Sequence, residues 1–231
     1  GIRADTVKHV EKEAWLALRH AAEQARADWV RANPQAPTAG TPLWMVGEVW
    51  ANGTFADDYP EYGFDALINF DYQSDHALPL ALCPARAEEV YQRYQAAVAE
   101  QPGFQPMSYI SSHDTRLFFG SFGDEGLQRR AANTLLLLPG AVQISYGDES
   151  GRPAGPYVED FAISTRSPMN WGEAGSNKAG LVAHWATLAQ FRKRHPAIAA
   201  GTHRPLPSSG YAFARQQGQD SVVVVMAGSP R

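Results

Sequence analysis

A chain of 231 residues with 44% hydrophobic and 19% charged residues has the composition of an ordinary globular protein, not a disordered or fibrous one. Its net charge of −4 leaves no basic footprint for nucleic acid, and no apolar run approaches the roughly 20 residues that span a bilayer. The single cysteine, Cys83, excludes an internal disulfide and reads as a small buried hydrophobe.

Taken in order, Gly1 to Asp5 reads as the end of a strand. From Val7 the pattern turns helical, with Val10, Ala14, Leu18 and Ala21/Ala22 recurring on one face to about Val30. The Pro- and Gly-containing run Asn33 to Pro42 stops it. Leu43-Trp44-Met45-Val46 is all apolar, as in a strand buried on both faces. Ala51 to Tyr62 is a polar loop of functional length. Phe64 to Phe70 is the next strand, and Ala85 to Ala99 a helix ended by Gln101-Pro102-Gly103. Met107 to Ile110 is a strand that delivers Ser111 to Asp114. Asp124-Glu125 opens a helix to about Leu138, acidic side chains suiting a helix N-terminus. Ala141 to Tyr146 is a strand running into Gly147-Asp148-Glu149, with a long loop after it to about Asn177. Leu181 to Arg194 is an amphipathic helix. Beyond a boundary near Gly201, Tyr211 to Arg215 and Val222 to Met226 form a hairpin around a Gln-Gly turn.

Short buried strands alternating with helices predict a parallel α/β sheet. A doubly wound sheet and a (β/α)8 barrel both fit this order. The polar residues favour the barrel, because almost every strand ends in acidic or histidine residues at its C-terminal end, the catalytic face of that fold. Five strands are visible where a barrel has eight. The expectation is a partial TIM barrel, about strands four to eight, over 1–200, and the start of a C-terminal β-domain over 201–231.

Three strand ends carry the candidate chemistry. Arg3 and Asp5 are two apart and share a face. An arginine beside a carboxylate holds it ionised, as a nucleophile requires, though an isolated Arg-x-Asp is more often a structural pair. Glu48 follows a fully apolar strand, and neighbours such as Trp44 and Trp50 would suit a general acid; a solvated glutamate is the alternative. His113-Asp114 also fits a loop cap. Trp50 and Trp171 are candidates for stacking on sugar rings or for a core. Asp148 and Glu149 either border the cleft or form an ordinary turn. His20, His76, His184, His195 and His203 show no paired metal-ligand spacing and read as structural or solvated.

In the order Arg-x-Asp, Gly-Glu, His-Asp, these sites resemble the α-amylase family, glycoside hydrolase family 13. Gly1 to His9 resembles its second conserved region, Val46 to Trp50 its third and Tyr109 to Asp114 its fourth. Val142 to Glu149 is similar to its eighth strand and the segment after it. Arg166 to Trp171 resembles a run in the same loop, and Phe191 to Ile198 the end of the eighth helix. The stretches Arg3 to Glu11 and Ser111 to Phe118 look most like bacterial periplasmic members.

The resemblance implies a retaining hydrolase of α-1,4-glucosidic bonds in starch and maltodextrins. Asp5 would be the nucleophile, Glu48 the acid and base, and Asp114 the carboxylate that stabilises the oxocarbenium-like sugar. Arg3 would position Asp5, His113 would bond sugar hydroxyls, and Lys8 and His9 would line the leaving-group side, with Trp50 a further substrate contact. Retaining chemistry sets the two reacting carboxyls roughly 5–5.5 Å apart. The His9 carbonyl is a calcium ligand in many members, but the region supplying most other ligands is absent from this chain, so Ca2+ is expected only in a full-length parent. The partner implied is an α-glucan, with no nucleic acid or membrane. A missing N-terminal half-barrel segment, or self-association, would cover the open sheet edges, and the fragment alone is expected to be inactive. The implied compartment is periplasmic or secreted. A transglycosylase or trehalose-forming isomerase of the same family, or a non-catalytic binding subunit, are the alternatives.

Overall fold

The computed structural model describes residues 1–55, 57–156, 161–208 and 210–226. Parts of three expected segments, 56 of the polar loop, 157–160 of the long loop, and 209 and 227–231 of the β-domain, lie outside them. Five short strands form one sheet in sequential order: β1 (Ile2–Ala4), β2 (Met45–Gly47), β3 (Ala66–Asn69), β4 (Gln105–Ser108) and β5 (Ala141–Val142). Every neighbouring pair is parallel. A doubly wound sheet reverses its order at a switch point, and this one does not. The sheet is an arc of a (β/α) barrel, with all strand C-termini on one face. β2 and β3 are buried at every position, which explains why the run into β2 reads as unbroken apolar.

The helices pack unevenly. α1 (Lys12–Ala32) buries none of its residues. Polar side chains fasten it instead: Arg19 donates to Asp65 at 2.5 Å and to the Gly63 carbonyl at 3.0 Å, and the Trp15 indole donates to the Val7 carbonyl at 3.1 Å. It starts later than its apolar pattern suggests, because Val7–His9 forms a separate 3-10 turn. Between β3 and α3 (Ala87–Glu100) lie a π turn (Tyr72–His76) and α2 (Ala77–Leu82). Then come α4 (Phe118–Phe122), α5 (Glu125–Leu136), α6 (Phe161–Ser164), α7 (Trp171–Ala174), α8 (Ala179–Arg194) and α9 (Ala197–Ala200).

The main core gathers Tyr72, Tyr91, Leu135, Trp185 and Phe213, joining α2, α3, α5 and α8 to a second sheet. That sheet is antiparallel, in the order β6 (Thr202–Leu206), β7 (Tyr211–Gln217), β8 (Asp220–Met226). The expected hairpin is therefore the last two of three strands. Cys83 differs from expectation: it sits at the C-terminal end of α2 and is exposed.

Candidate active site

The register brings the first two acids together. Ala4 pairs with Gly47 across β1 and β2, so Asp5 and Glu48 each stand one residue beyond the last paired position. The Glu48 N–H donates to the Ala4 carbonyl at 2.8 Å, and the Val7 N–H to the Glu48 carbonyl at 2.9 Å. The Thr6 N–H then donates to Glu48 Oε2 at 2.8 Å. Thr6 does so at φ 48°, a left-handed conformation rare for a β-branched residue and a strain typical of functional turns. Gly47 has no room for a side chain, since a Cβ there would lie 2.7 Å from the Phe64 ring.

Arg3 Nη1 donates to Asp5 Oδ1 at 2.6 Å. This bond and the guanidinium charge hold the Asp5 carboxyl below the usual carboxylate range, with smaller contributions from side-chain contact with Glu48 and from His113. Asp5 is thus ionised at neutral pH and lies within reach of both other loops. Glu48, by contrast, is buried.

The third acid arrives from β4. His113 Nε2 meets Asp114 Oδ2 at 2.8 Å, and Arg166 Nη2 meets Oδ1 at 3.3 Å. Arg166 Nη1 and Thr165 Oγ1 both donate to the His113 carbonyl, at 2.8 and 2.6 Å. A small cleft of about 30 Å³ has Arg3, Glu48, Phe70, Tyr109, His113 and Asp114 on its walls. Larger hollows lie beside Arg116 and Ala154 (about 300 Å³) and between Leu188 and Val224 (about 440 Å³). Neither holds any of the three acids, so chemistry rather than volume selects the small cleft. Its 30 Å³ admits a water and no larger group.

The cleft wall thus carries Arg3, Glu48, His113 and Asp114, and Asp5, exposed beside it and not on the wall, is tied to them through Arg3. Lys8 and His9 lie exposed on the turn after Asp5, outside the cleft wall. Trp50 is 49% exposed and packs on Phe70 with ring centroids 5.0 Å apart, and Trp171 is 76% exposed; neither is a core residue. Two residues of the site have no local signal in the sequence, Tyr109 on the cleft wall and Arg166 beside Asp114. Tyr109 is fully buried, and burial, reinforced by the Asp114 and Glu48 charges, pushes its phenol up to about 12, so it stays protonated. Arg166 lies 52 residues from Asp114, and no local pattern announces that contact. Asp148 does not border the cleft: it is buried behind Ser111.

Among the described residues no group of three or more His, Cys, Asp or Glu side chains is placed to hold a metal. His9 offers one carbonyl on an exposed turn.

The chain matches no protein-family model. It is 48% identical to the periplasmic alpha-amylase of Escherichia coli over 99% of its own length and 32% of that protein. It is 26% identical to an alpha-amylase of Streptomyces lividans over 98% of its length and 27% of that protein. The chain thus spans about a third of the length of these curated relatives. Among solved structures, an Anoxybacillus alpha-amylase superposes with a TM-score of 0.71 at 22% identity, over 96% of this chain and 46% of that one. A Geobacillus thermoleovorans alpha-amylase, solved with acarbose, gives 0.65 at 18% identity, over 96% and 46%. With its sequential parallel arc, its second, antiparallel sheet and these likenesses, the chain belongs to the α-amylase family, glycoside hydrolase family 13, and corresponds to the C-terminal part of its barrel with the strands beyond it.

Proposed function

We propose that this chain is the acid-bearing part of an α-amylase-type retaining glycoside hydrolase acting on α-1,4-glucans. The observation that carries the proposal is the placement of an exposed, Arg3-held Asp5 and a buried Glu48 on adjacent strand ends in register. The 48% identity to a periplasmic alpha-amylase supports it.

In the first step the Asp5 carboxylate attacks the anomeric carbon, and Glu48 gives its proton to the departing glucosyl oxygen. A β-glycosyl ester forms on Asp5 and the glycosidic C–O bond breaks. In the second step Glu48, now a carboxylate, takes a proton from water, which attacks the same carbon and returns Asp5 as a carboxylate. Asp114, fixed by His113 and Arg166, faces the positive charge that builds on the sugar in both steps. Arg3 orients Asp5, and His113, Lys8, His9 and Trp50 serve as substrate contacts. Retention of all three acids argues against a non-catalytic subunit.

Among the described residues β1 pairs only with β2, and β5 only with β4. Unpaired parallel edges invite further strands, and the preceding half of the barrel is the partner we assign to them. The assignment of 1–200 to the barrel and 201–231 to a C-terminal β-domain, and a periplasmic or secreted location, belong to the same proposal. No described helix is long and apolar enough to cross a membrane.

The test is starch hydrolysis by the isolated 231-residue chain and by the complete enzyme, each as wild type and as Asp5→Asn. Turnover is expected only from the complete enzyme, and Asp5→Asn should lower it at least about 10³-fold. Robust turnover by the isolated chain would refute the need for the missing strands, and retained activity in the variant would remove Asp5 from its role.

A further inference from the structure

Asp148 takes no part in the steps above, yet it is buried to 5% exposure just beyond β5. Its carboxylate is held on two sides. Ser111 Oγ donates to Oδ1 at 2.5 Å, and the Ser145 N–H donates to Oδ2 at 3.2 Å. Gln128 of α5 donates to the Asp148 carbonyl at 2.8 Å, which fixes the backbone. Gly147 sits at φ 90°, and a Cβ there would strike Arg152, so the turn that places Asp148 demands glycine.

The Ser111 hydroxyl also accepts the Phe118 N–H at 2.9 Å, and its single hydrogen goes to Asp148. The next residue closes the loop: Ser112 Oγ accepts from the N–H groups of Asp114 at 3.1 Å and Thr115 at 3.0 Å. The segment that carries Asp114 is therefore anchored at its base on Asp148 and tightened above it by Ser112.

We propose that Asp148 is a positioning residue for Asp114, holding through Ser111 the loop that presents this carboxylate to the substrate. The role assigned to Asp114 rests on the functional reading above; the anchoring of the loop does not. Burial pushes the Asp148 carboxyl up to about 7 against the hydrogen bonds from the Ser111 hydroxyl and the Ser145 N–H, which favour the charged form, with Glu149 raising it and Arg152 lowering it in smaller measure; Ser111 from the β4 loop and Gln128 from α5 are uncharged. Above pH 7 the charged oxygen is a strong acceptor for Ser111. Below it the carboxyl is neutral and accepts more weakly, so parting Ser111 from an Asp148 that stays buried costs less and the loop loosens.

Hydrogen exchange of peptide 109–118 in the full 231-residue chain, corrected for intrinsic rates, tests this between pH 5.5 and 8.5. Protection of the Asp114 and Thr115 amides is expected to rise about fivefold to tenfold across that range. Asp148→Asn, a neutral acceptor at every pH, should stay at the low-pH level throughout, and Ser111→Ala should do the same with Asp148 still in place. A step that survives in Asp148→Asn would overturn the proposal, as would flat protection in the wild-type chain. A step lost in both variants supports it, and Ser111→Ala serves if Asp148→Asn does not fold. In the complete enzyme Asp148→Asn should remove a kcat limb near pH 7 with KM unchanged. If exchange behaves as expected while Asp114→Asn leaves hydrolysis intact, the functional reading falls and the anchor stands.

Discussion

Glu48→Gln is expected to slow hydrolysis of an unactivated maltooligosaccharide about 10²–10⁴-fold in the complete enzyme. The amide has no proton to give the leaving oxygen, so the first step suffers most. A maltosyl fluoride, whose leaving group needs no proton, should form the glycosyl-enzyme far faster than the oligosaccharide does. Azide should then restore turnover, because it attacks the ester without a general base. The substitution preserves an acceptor for the Thr6 N–H, so the fold should hold. Equal loss on both substrates would show that Glu48 supports the fold or binds sugar instead of moving a proton. Steady-state rates on the two substrates, with and without azide, make the distinction.

Arg215→Ala is expected to destabilise the chain by about 3–5 kcal/mol, read as a fall in the urea unfolding free energy. Arg215 of β7 is 1% exposed. Its Nη1 donates to the Leu137 carbonyl at 2.6 Å and the Ile198 carbonyl at 2.5 Å, and its Nε to His203 Nδ1 at 3.1 Å. The guanidinium lies over the Tyr91 and Phe213 rings, 4.9 and 4.7 Å from their centroids. Burial lowers it to about 10, so it stays charged at neutral pH. The chain of contacts continues through His203 Nε2 to Glu88 Oε2 at 3.0 Å, where the Tyr211 hydroxyl also donates at 2.9 Å. Since Nδ1 accepts, Nε2 carries the hydrogen and His203 is neutral. Truncation strands two carbonyls in the seam between the barrel helices and the second sheet. Arg215→Lys should restore little, because an ammonium lacks the planar fork. A loss below about 1 kcal/mol, the range of an exposed charge, would contradict this account of the seam.

Acid should weaken the same seam. Burial lowers the His203 imidazole below its usual value, so the unfolded chain binds the proton more readily. Glu88 is held below the usual carboxylate range by its His203 and Tyr211 partners against the opposing effect of burial. Both groups make stability fall as pH drops, His203 from about 6.5 downward and Glu88 through the acid range. Urea unfolding free energies measured from pH 8 to pH 4 should decline accordingly, and a flat profile would contradict the pairing.

Much of this architecture is legible in the chain itself. Met45-Val46-Gly47 is an apolar run because both faces are covered, and the acids at strand ends share one face because the strands pair in parallel. Asp5 and Glu48 are found as neighbours because register is local information carried across one strand pair. The rest depends on contacts that local pattern does not encode. β6 contains Pro205 and buries none of its five residues, so it lacks the alternation of its partners. Arg166 reaches Asp114 from a distant loop, and Tyr109 enters the cleft only because β4 lies beside β3. Exposure is equally nonlocal: Cys83 and Trp171 have core-like chemistry but end up at the surface.

The proposed chemistry turns on a covalent bond between Asp5 and sugar. Reacting the complete enzyme with a 5-fluoro-maltosyl fluoride, which forms the ester but hydrolyses slowly, and mapping peptides by mass spectrometry tests it directly. The account predicts one added glycosyl unit, located on the Asp5 carboxyl and absent from Asp5→Asn. A label on another residue, or none in an enzyme that turns over starch, would contradict it.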